Sequence, residues 1–448
     1  METTLKKYFG TDGIRGIANQ DLTPELVFRV GRAVGSILRK NGHGEILVGK
    51  DPRVSSDMLE GALESGILSV GSSVCSCGII PTPAVSYLTK SMKFKAGIMI
   101  SASHNPLEHN GIKIFSAAGL KLSDHEENQI ESILKLKDDK LKRPIGTEVG
   151  KLKILDEAKE RYIDYLKSCF KVSLKGIRLV LDCAYGSASV IAPVLFESLG
   201  AKVILKCSTP NGEKINVSCG AAFPDFLRKT VTKEKADLGI AFDGDADRVI
   251  FVTGKGELFH GDHTLALLGI HWFKKKKLKG PVVTTVMSNF GLEKALKEKN
   301  IKLIRTQIGD RYVLEEMLKK NANLGGEQSG HLILLNHGVS GDGCLTALAV
   351  LSVLRETGKS LSDFQKIIEV FPQILKNVPV RRKNYFHHDE EIQKILHEQE
   401  KRLKGKGRLV VRPSGTEPLI RIMAEGLDRK ELEEVVNLLA YNIERRLK

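Results

Sequence analysis

The alternation of short apolar segments with amphipathic helical segments, over most of the 448 residues, is the feature that most constrains the fold. The clearest examples are residues 46–51, 177–187 and 282–289. In each, an apolar strand pattern runs into a polar or glycine-containing turn, and a helical pattern follows. This alternation is typical of α/β architecture with parallel or mixed sheets. The threefold recurrence also hints at three related α/β units, although the self-similarity is weak.

Helix starts are marked by three capping patterns: Thr23-Pro24, Ser123-x-x-Glu126 and Asp428-x-x-Glu431. Thr, Ser and Asp side chains accept hydrogen bonds from the first backbone N–H groups of a helix, and a Glu three residues later completes a capping box. Pro fits the first helical position because its φ is already near the helical value. We therefore predict helices that start at these three places.

Four domains are predicted from the chain length and from changes in composition along the chain. At roughly 100–200 residues per domain, a chain of 448 residues holds about three or four. The segment 135–150 is charged and contains Pro and Gly, which is typical of a linker. Residues 253–256 have the pattern of a turn, and the sequence pattern changes again at Phe371-Pro372. The predicted domains are 1–150, 151–253, 254–370 and 371–448.

The composition favours an ordinary globular protein of the cytoplasm. Hydrophobic residues make up 42% of the chain and charged residues 27%. No apolar run approaches the ~20 residues that cross a bilayer, and the first residues lack the apolar region of a secretory signal. The seven cysteines include no CxxC pair, so we expect reduced thiols. No membrane partner is expected.

The formal net charge of +15 is compatible with nucleic acid, a membrane surface or small anionic substrates. The densest basic run, Lys274–Lys277, follows an apolar stretch and reads as a solvated helix end. No nucleic-acid-binding motif is visible, and only one Trp is present for stacking. We therefore expect no nucleic acid partner.

Three aspartates, Asp243, Asp245 and Asp247, directly follow an apolar strand pattern. Carboxylates at this spacing can converge on one cation, and hard oxygen ligands suit Mg²⁺. An EF-hand loop is excluded because its sixth position is Arg248 and its twelfth is Gly254. An acidic turn without metal is the alternative, but three unbalanced carboxylates repel one another.

The stretch ISASHNP places Ser103 and His104 after the apolar run 96–100. A polar loop is the simplest interpretation, and a hydrolase triad lacks its GxSxG elbow. Beside a metal site and a phosphate-binding loop, Ser103 could carry a phosphoryl group. Lys113, downstream, could neutralise developing charge, and Arg15 lies on the glycine-rich turn FGTDGIRG.

The stretch RPSGTEP has the composition of a phosphate cradle. Gly415 lets backbone N–H groups turn toward an anion, Ser414 and Thr416 add hydroxyl donors, and Arg412 and Arg421 supply guanidinium groups. It is not a P-loop, because GxxxxGK[ST] is absent. A plain Pro-Gly turn is the alternative.

The glycine-rich stretch 325–331 precedes another apolar strand pattern. Glu327 could accept hydrogen bonds from sugar hydroxyls, Ser329 could donate or accept, and His331 could carry a proton or bind phosphate. An ordinary loop is equally compatible with this stretch alone.

Four stretches in this order, SASHNP, DGDADR, GEQSGH and RPSGTEP, resemble the α-D-phosphohexomutases. The resemblance spans nearly the whole chain, beginning at FGTDGIRG. The opening YFGTDGIRG, Gln328 and the stretch GDRYV at 309–313 are similar to the branch that acts on glucosamine phosphates.

The resemblance implies four domains around a central cleft, three of related α/β topology and a C-terminal one of α+β type. It implies that glucosamine 6-phosphate and glucosamine 1-phosphate are interconverted through a phosphoserine and a glucosamine 1,6-bisphosphate intermediate. The product would serve UDP-N-acetylglucosamine synthesis. One Mg²⁺ per active site, sugar phosphates as the only partners, and a monomer or homodimer are further expectations.

The candidate residues follow from the matching motifs. The catalytic candidates are Ser103, His104, Lys113, Arg15, Arg248 and His331; the substrate-binding candidates are Glu327, Ser329, Arg412, Ser414, Gly415, Thr416 and Arg421; the metal ligands are Asp243, Asp245 and Asp247 with the phosphorylated Ser103.

Three other interpretations stay open at this point. A phosphomannomutase/phosphoglucomutase would use the same motifs, and only the sugar loop argues against it. A phosphosugar phosphatase would use the same metal site but would need water at the phosphoenzyme. A nucleic-acid-binding protein is suggested only by the charge of +15.

Overall fold

The computed structural model describes residues 7–10, 12–39, 44–136, 140–414 and 418–448. These residues form four β-sheets, which succeed one another along the chain and are accompanied by helices. Within these ranges, none of the helices combines the length and the hydropathy that a bilayer crossing needs.

The first unit has a seven-stranded mixed sheet. Its elements are β1 (Phe9–Gly10), β2 (Gly13–Ile17), α1 (Pro24–Arg39), β3 (Glu45–Lys50), α2 (Val54–Leu68), β4 (Ser73–Ile79), α3 (Thr82–Ser91), β5 (Ala96–Ile100), β6 (His109–Ser116), α4 (Asp124–Leu134) and β7 (Leu152–Ile154). The strand order is β1-β2-β6-β5-β3-β4-β7. The last strand, β7, pairs parallel to β4 and lies just beyond residue 150.

The second unit has a five-stranded sheet. Its elements are α5 (Ala158–Cys169), β8 (Arg178–Asp182), α6 (Ala192–Ser198), β9 (Lys202–Lys206), α7 (Pro224–Glu234), β10 (Leu238–Phe242), β11 (Val249–Thr253) and β12 (Leu258–Phe259). The order is β12-β11-β10-β8-β9. Every residue of β10 and β11 is buried, as expected for strands covered on both faces.

The third unit has a four-stranded sheet. Its elements are α8 (Gly261–Lys274), β13 (Val282–Thr285), α9 (Phe290–Lys297), β14 (Leu303–Thr306), α10 (Asp310–Lys319), β15 (Leu324–Gly326), β16 (Leu332–Leu334) and α11 (Gly343–Thr357). The order is β14-β13-β15-β16. Helix α8 ends at Lys274, so the predicted helix end in the lysine run is confirmed.

These three units share one arrangement of four strands. Three parallel strands are followed by an antiparallel return strand, in the orders β4-β3-β5-β6, β9-β8-β10-β11 and β14-β13-β15-β16. The first strands, β3, β8 and β13, belong to the segments whose recurrence the sequence indicated, which confirms three related α/β units. The loop before each return strand carries one motif: residues 101–108, 243–248 and 327–331. Topology therefore places the three motifs at equivalent positions.

The fourth unit differs, as predicted, and has a three-stranded antiparallel sheet. Its elements are β17 (Gln373–Pro379), α12 (Glu390–Leu403), β18 (Gly407–Pro413), β19 (Leu419–Gly426) and α13 (Arg429–Leu447), with the order β17-β19-β18. The four-domain α/β architecture is thus confirmed, while the limits at residues 150, 253 and 370 stay predictions. Short 3₁₀ segments lie at Gly146–Glu148, Ser187–Val190, Leu361–Ile367 and Lys383–His388.

The three predicted helix starts are confirmed. Helix α1 starts at Pro24, α4 has the complete capping box of Ser123, and α13 follows Asp428, whose carboxylate accepts from two backbone N–H groups. The carboxylate of Glu431, expected to complete a box, instead contacts Arg402 at 3.0 Å and Lys406 at 2.8 Å. The two cations are therefore the partners of Glu431 in place of the backbone N–H of Asp428.

Candidate active site

Ser103 lies in the loop between β5 and β6 and is 1% exposed. Its φ of +54° is in the left-handed region, which side chains other than Gly rarely adopt, so its surroundings must hold it there. Its backbone N–H donates to Ser101 Oγ at 2.9 Å. Its hydroxyl donates to Asp243 Oδ2 at 2.6 Å and lies 3.2 Å from His104 Nδ1. The serine is therefore fixed with its oxygen toward the second unit.

Arg53 binds the backbone of the loop that carries Ser103 and is 2% exposed. Its guanidinium donates to three carbonyl oxygens of the loop and one at the start of β6: Ser103 at 3.0 Å, Asn105 at 2.8 Å, Pro106 at 2.6 Å and His109 at 3.0 Å. Asp51 balances the charge, with 3.1 Å between Arg53 Nε and Asp51 Oδ2. A planar group with five donors suits this task. Sequence reasoning missed Arg53, although it stands in GKDPR at the end of β3.

The second unit approaches Ser103 through Asn216 and Gly244. Asn216 Nδ2 donates to the carbonyl oxygen of Ser103 at 2.9 Å. A Cβ at Gly244 would lie 2.7 Å from the same oxygen, a separation that real Cβ atoms essentially never show. Glycine at this position therefore permits the close approach of the aspartate loop to the serine loop.

The three aspartates form an acidic trio, Asp243, Asp245 and Asp247, in the loop between β10 and β11. They are 0%, 0% and 6% exposed, and one oxygen from each lies within 4.8 Å of the others. Asp245 Oδ1 and Asp247 Oδ1 are buried and accept no hydrogen bond from the described residues. Buried carboxylate oxygens without partners are costly. The trio therefore fits a hard divalent cation, which would satisfy these oxygens.

The pKa shifts of the aspartates also favour a bound cation in the acidic trio. Burial, together with the charges of Asp247 and Asp245, raises the pKa of Asp243 well above its usual range. Burial also opposes the charge on Asp247, but Lys113, His331 and Arg248 outweigh it and hold the pKa of Asp247 well below its usual range. A bound cation would remove the repulsion that acts on Asp243.

A closed ring of alternating charges connects the trio to the first and third units. The members of this charge ring are, in order, Asp247, Lys113, Asp12, Lys121, Asp310 and His331. Lys113 Nζ lies 3.2 Å from Asp247 Oδ2 and 3.5 Å from Asp12 Oδ2, and it also donates to Asp245 Oδ2 at 2.7 Å. The imidazole of His331 closes the ring, 3.6 Å from Asp247 and 3.6 Å from Asp310. Arg15 contacts the ring at Asp12.

The pKa values of the two histidines of the site shift in opposite directions. Burial lowers the pKa of His331, but Asp247 and Asp310 outweigh it and raise the pKa to about 9. Burial and the neighbouring Arg248 lower the pKa of His104 to about 4. The environment therefore favours the charged form of His331 and the neutral form of His104, whose Nδ1 faces Ser103.

Arg248 stands between the aspartate loop and the loop of residues 327–331. Its backbone N–H donates to Asp243 Oδ1 at 3.2 Å, and its Nε lies 3.8 Å from Asp247 Oδ1. Burial opposes its charge, but Asp247, Asp243 and Glu327 outweigh this effect and raise its pKa. The side chain is 24% exposed, so the guanidinium can be reached by an anionic ligand.

The residues predicted to contact the sugar lie in the loop between β15 and β16. Glu327 Oε1 accepts from the backbone N–H of Gly309 at 3.3 Å, so GDRYV and GEQSGH meet in space. Ser329 is exposed, and its hydroxyl donates to Glu327 Oε2 at 3.5 Å. Gly330, with φ of +94°, packs so closely on β11 that a Cβ would lie 2.2 Å from Val249 O.

The predicted phosphate cradle lies on the fourth unit. Arg412 and Arg421 are cross-strand partners in β18 and β19. Like charges directly opposite one another destabilise a sheet unless an anion lies between them. In addition, burial and the charge of Arg421 lower the pKa of Arg412. The backbone carbonyl of Ser414 accepts from Lys383 Nζ at 2.8 Å. Gly415 and Thr416 lie outside the described residues.

Contacts between the units bring together all nine predicted catalytic and metal-binding residues. These are Ser103, His104, Lys113, Arg15, Asp243, Asp245, Asp247, Arg248 and His331. The roles assigned to them stay predictions. Sequence reasoning missed Asp12, Lys121, Asp310 and Asn216. Asp12 and Asp310 stand in FGTDGIRG and GDRYV, whereas Lys121 and Asn216 had no local signal.

Comparison with protein families gives four matches, which cover most of the chain. The descriptions are "Phosphoglucomutase/phosphomannomutase", alpha/beta/alpha domain I over residues 6–140, domain II over 160–256, domain III over 260–371, and the C-terminal domain over 375–440.

Individual proteins agree with the family matches. The phosphoglucosamine mutase of Thermoanaerobacter sp. (strain X514) is 51% identical over 447 residues, which cover 99% of this chain and 100% of that protein. Among solved structures, a phosphoglucomutase/phosphomannomutase family protein from Burkholderia thailandensis superposes with a TM-score of 0.81 at 21% identity, covering 97% of each chain. An Aspergillus fumigatus N-acetylphosphoglucosamine mutase, solved with GlcNAc-6P and magnesium, gives 0.65 at 17% identity, covering 99% and 96%.

Proposed function

Since the chain belongs to the phosphoglucomutase/phosphomannomutase family, the α-D-phosphohexomutases, we propose how its residues carry out the mutase reaction. The enzyme interconverts glucosamine 6-phosphate and glucosamine 1-phosphate, the activity that names relatives about half identical over nearly its full length. The observation that carries the mechanism is the 2.6 Å contact between Ser103 Oγ and Asp243 Oδ2 inside the buried acidic trio.

Ser103 is the phosphoryl carrier. In the first transfer, O1 of glucosamine 6-phosphate attacks the phosphorus on Ser103, the Oγ–P bond breaks, and the proton of O1 ends on Oγ. The product of this step is glucosamine 1,6-bisphosphate. After the sugar reorients, Oγ attacks the phosphorus at O6, its proton passes to O6, and glucosamine 1-phosphate leaves. His104 is neutral and lies 3.2 Å from Oγ, which suits it to pass this proton.

Positive charge around Ser103 stabilises the transferring phosphoryl group. Asp243, Asp245, Asp247 and the phosphorylated Ser103 would hold a Mg²⁺ ion, which would supply Lewis-acid stabilisation. Lys113 and His331 contribute fixed cations within the charge ring. Lys113 is 2% exposed, and burial strengthens its electrostatic effect.

Substrate recognition is divided among the four units. Glu327 and Ser329 bind the sugar hydroxyls from the third unit, and Arg15 and Arg248 contact phosphoryl oxygens near Ser103. The phosphate that is not reacting is held by the fourth unit, where Arg412 and Arg421 face each other across two strands. Ser414, Gly415 and Thr416 complete this anchor. An anchor that accepts phosphate from either end of the sugar explains how the bisphosphate can react in both orientations.

We also propose the metal, the activator, the partners and the cellular location of the enzyme. Mg²⁺ is the metal and glucosamine 1,6-bisphosphate the activator. Sugar phosphates are the only partners, without nucleic acid or membrane. The enzyme works in the cytoplasm as a monomer or homodimer, and its product serves UDP-N-acetylglucosamine and peptidoglycan synthesis.

A coupled mutase assay with Mg²⁺ and a trace of sugar bisphosphate tests the specificity. Glucosamine 6-phosphate is compared with glucose 6-phosphate and mannose 6-phosphate at equal concentration. We expect a strong preference for the amino sugar, as judged by kcat/KM. A preference for the neutral sugars would contradict the role given to Gln328 and GDRYV, and release of inorganic phosphate faster than mutase product would indicate a phosphatase.

A further inference from the structure

Two thiols and one carboxylate meet at the carboxyl ends of β8 and β9, outside the acidic trio. Asp182 is the last residue of β8, Cys207 directly follows β9, and Cys219 lies in the connection to α7. Their oxygen and sulfur atoms all lie within 4.8 Å of one another. Asp182 and Cys219 are 0% and 2% exposed, whereas Cys207 is half-buried. The mutase mechanism uses none of the three.

We propose that Asp182, Cys207 and Cys219 form a second metal site, which binds a thiophilic divalent cation such as Zn²⁺. Ligand atoms around tetrahedral zinc are about 3.5–4 Å apart, because the metal–ligand bonds are about 2.0–2.3 Å long. The three ligand atoms lie within 4.8 Å of one another, which is compatible with this spacing. Thiolate ligands select zinc over magnesium, so this site and the acidic trio differ in the metal they prefer. The exposed side of Cys207 leaves room for water as the fourth ligand.

The backbone already orients the carboxylate of this site. Asp182 Oδ1 accepts from the N–H of Ala184 at 3.0 Å, and Oδ2 accepts from the N–H of Gly220 at 2.7 Å. Each oxygen keeps a second lone pair for a metal. Hydrogen bonds of this kind commonly fix metal ligands in place. Gly220 has φ of +74°, and a Cβ there would lie 2.6 Å from Phe242 O, so this contact depends on glycine.

The thiolate is the form of cysteine that binds metals, so binding of a cation here releases the thiol protons of Cys207 and Cys219.

The site is connected to Ser103 through one loop. Residues 207–219 lie between the two cysteines and include Asn216. The N–H of Asn216 donates to Ala184 O at 3.0 Å, and its side chain donates to Ser103 O at 2.9 Å. A cation that joins Cys207 to Cys219 therefore closes this loop at both ends and supports the serine loop.

Cobalt titration of the full-length, magnesium-saturated enzyme tests the proposal. Co²⁺ bound to thiolates gives a charge-transfer band in the near ultraviolet, which carboxylate ligands do not give. We expect one equivalent of Co²⁺ to produce the band and Zn²⁺ to abolish it. Cys207→Ser and Cys219→Ser should each lose the band, whereas Cys169→Ser, a half-buried cysteine elsewhere, should retain it. Absence of the band in the unmodified enzyme, or its persistence in both cluster variants, would overturn the proposal.

Alkylation of the unmodified enzyme gives an independent test if the variants do not fold. Iodoacetamide should label Cys207, and Zn²⁺ alone should slow this labelling about tenfold or more. Equal labelling with and without Zn²⁺ contradicts the metal site. A Cys207–Cys219 disulfide formed with peroxide, without protection by Zn²⁺, would mean that the pair is a redox site instead.

Discussion

At the scale of residues, Ser103 combines a left-handed backbone with a buried hydroxyl. Neither property is favourable by itself, since the backbone is strained and the hydroxyl must find partners. Arg53 compensates for the backbone strain by binding four carbonyl oxygens of the loop and the start of β6. The strain therefore holds the oxygen toward Asp243 and does not relax into a turn of lower energy.

Replacing the carrier tests the phosphoserine. Ser103→Ala should reduce mutase turnover by a factor on the order of 10⁴ or more, because no other side chain can take its phosphoryl group. Intact mass measured after incubation with sugar bisphosphate should show one added phosphoryl group on the unmodified enzyme and none on the variant. Ser132→Ala, an exposed serine of α4, is the control and should behave like the unmodified enzyme. Full activity of Ser103→Ala would contradict the mechanism.

Replacing Arg53 by Lys tests whether the loop needs the guanidinium. Lys keeps the charge that balances Asp51 but cannot bind four carbonyl oxygens. We expect kcat to fall about 10- to 100-fold while KM changes little, since the substrate does not touch Arg53. Arg143→Lys, an exposed arginine in the first unit, is the control. A rise in KM with unchanged kcat would show that Arg53 acts on binding and not on the position of Ser103.

At the scale of elements, the aspartate loop depends on Gly244. In Gly244→Ala the added Cβ meets Ser103 O at 2.7 Å and Asn216 Nδ2 at 2.8 Å, so the two loops must separate. We expect kcat to fall about 100-fold and the Mg²⁺ concentration for half activity to rise. Gly61→Ala in α2 is the matched control. Nothing lies within 4 Å of its added Cβ, and it should stabilise the enzyme by about 0.5–1 kcal/mol.

Helix α2 carries a carboxyl group that should make stability depend on pH. Burial, and then the charge of Glu60, raises the pKa of Glu64 from 4.5 to about 7, and Glu64 Oε1 has no hydrogen-bond partner among the described residues. The folded state thus binds this proton more tightly than the unfolded state. Its contribution to stability is fully present below pH 4.5 and is lost as the pH rises through about 7.

Glu64→Gln removes the loss of stability that the unmodified enzyme shows as the pH rises through about 7. After allowance for partial exposure, the variant should be about 1–2 kcal/mol more stable than the unmodified enzyme at about pH 8.5, and the difference should shrink at about pH 5. Urea unfolding at the two pH values measures it. Glu197→Gln, at an exposed position of α6, should show no such difference. An equal effect of Glu64→Gln at both pH values would exclude the protonation argument.

The sequence allowed prediction of the parts that depend on local pattern. The strand before each motif, the caps of α1 and α4, and the recurrence of three units all follow from residues that are close in the chain. The contacts that complete the site join distant residues: Lys113 to Asp245, or Asn216 to Ser103, more than a hundred positions apart. Such contacts depend on how the units dock, for which a single chain has no local pattern.

At the scale of the whole molecule, Arg408 joins the third and fourth units. Its guanidinium lies 2.6 Å from Glu425 Oε2, which is fully buried, and donates to Val286 O at 2.6 Å. Glu425 also accepts from the N–H of Phe290 at 2.8 Å. The position of the proposed phosphate anchor relative to Ser103 therefore depends in part on this ion pair and its hydrogen bonds to the third unit.

Arg408→Met should loosen this junction. It leaves the carboxylate of Glu425 buried without its cation, which costs about 3–5 kcal/mol. Calorimetry should show the fourth unit unfolding at a lower temperature than the rest, and KM for the sugar phosphate should rise more than kcat falls. Arg402→Met removes an exposed arginine of the same unit and should change stability by less than about 1 kcal/mol. A single unshifted transition in Arg408→Met would contradict this account of the junction.

The placement of one motif on each return loop has a consequence for protein synthesis. A ribosome completes the loop of Ser103 long before it reaches Asp243, and His331 emerges later still. A nascent or truncated chain that contains only the first unit thus has Ser103 without the acidic trio and without His331. On the proposed mechanism, we expect such a fragment not to react with sugar bisphosphate, and we expect this reactivity only in a chain synthesised past residue 331. On the proposed mechanism, the order of the units along the chain therefore delays phosphoryl transfer until all the contributing loops have been made.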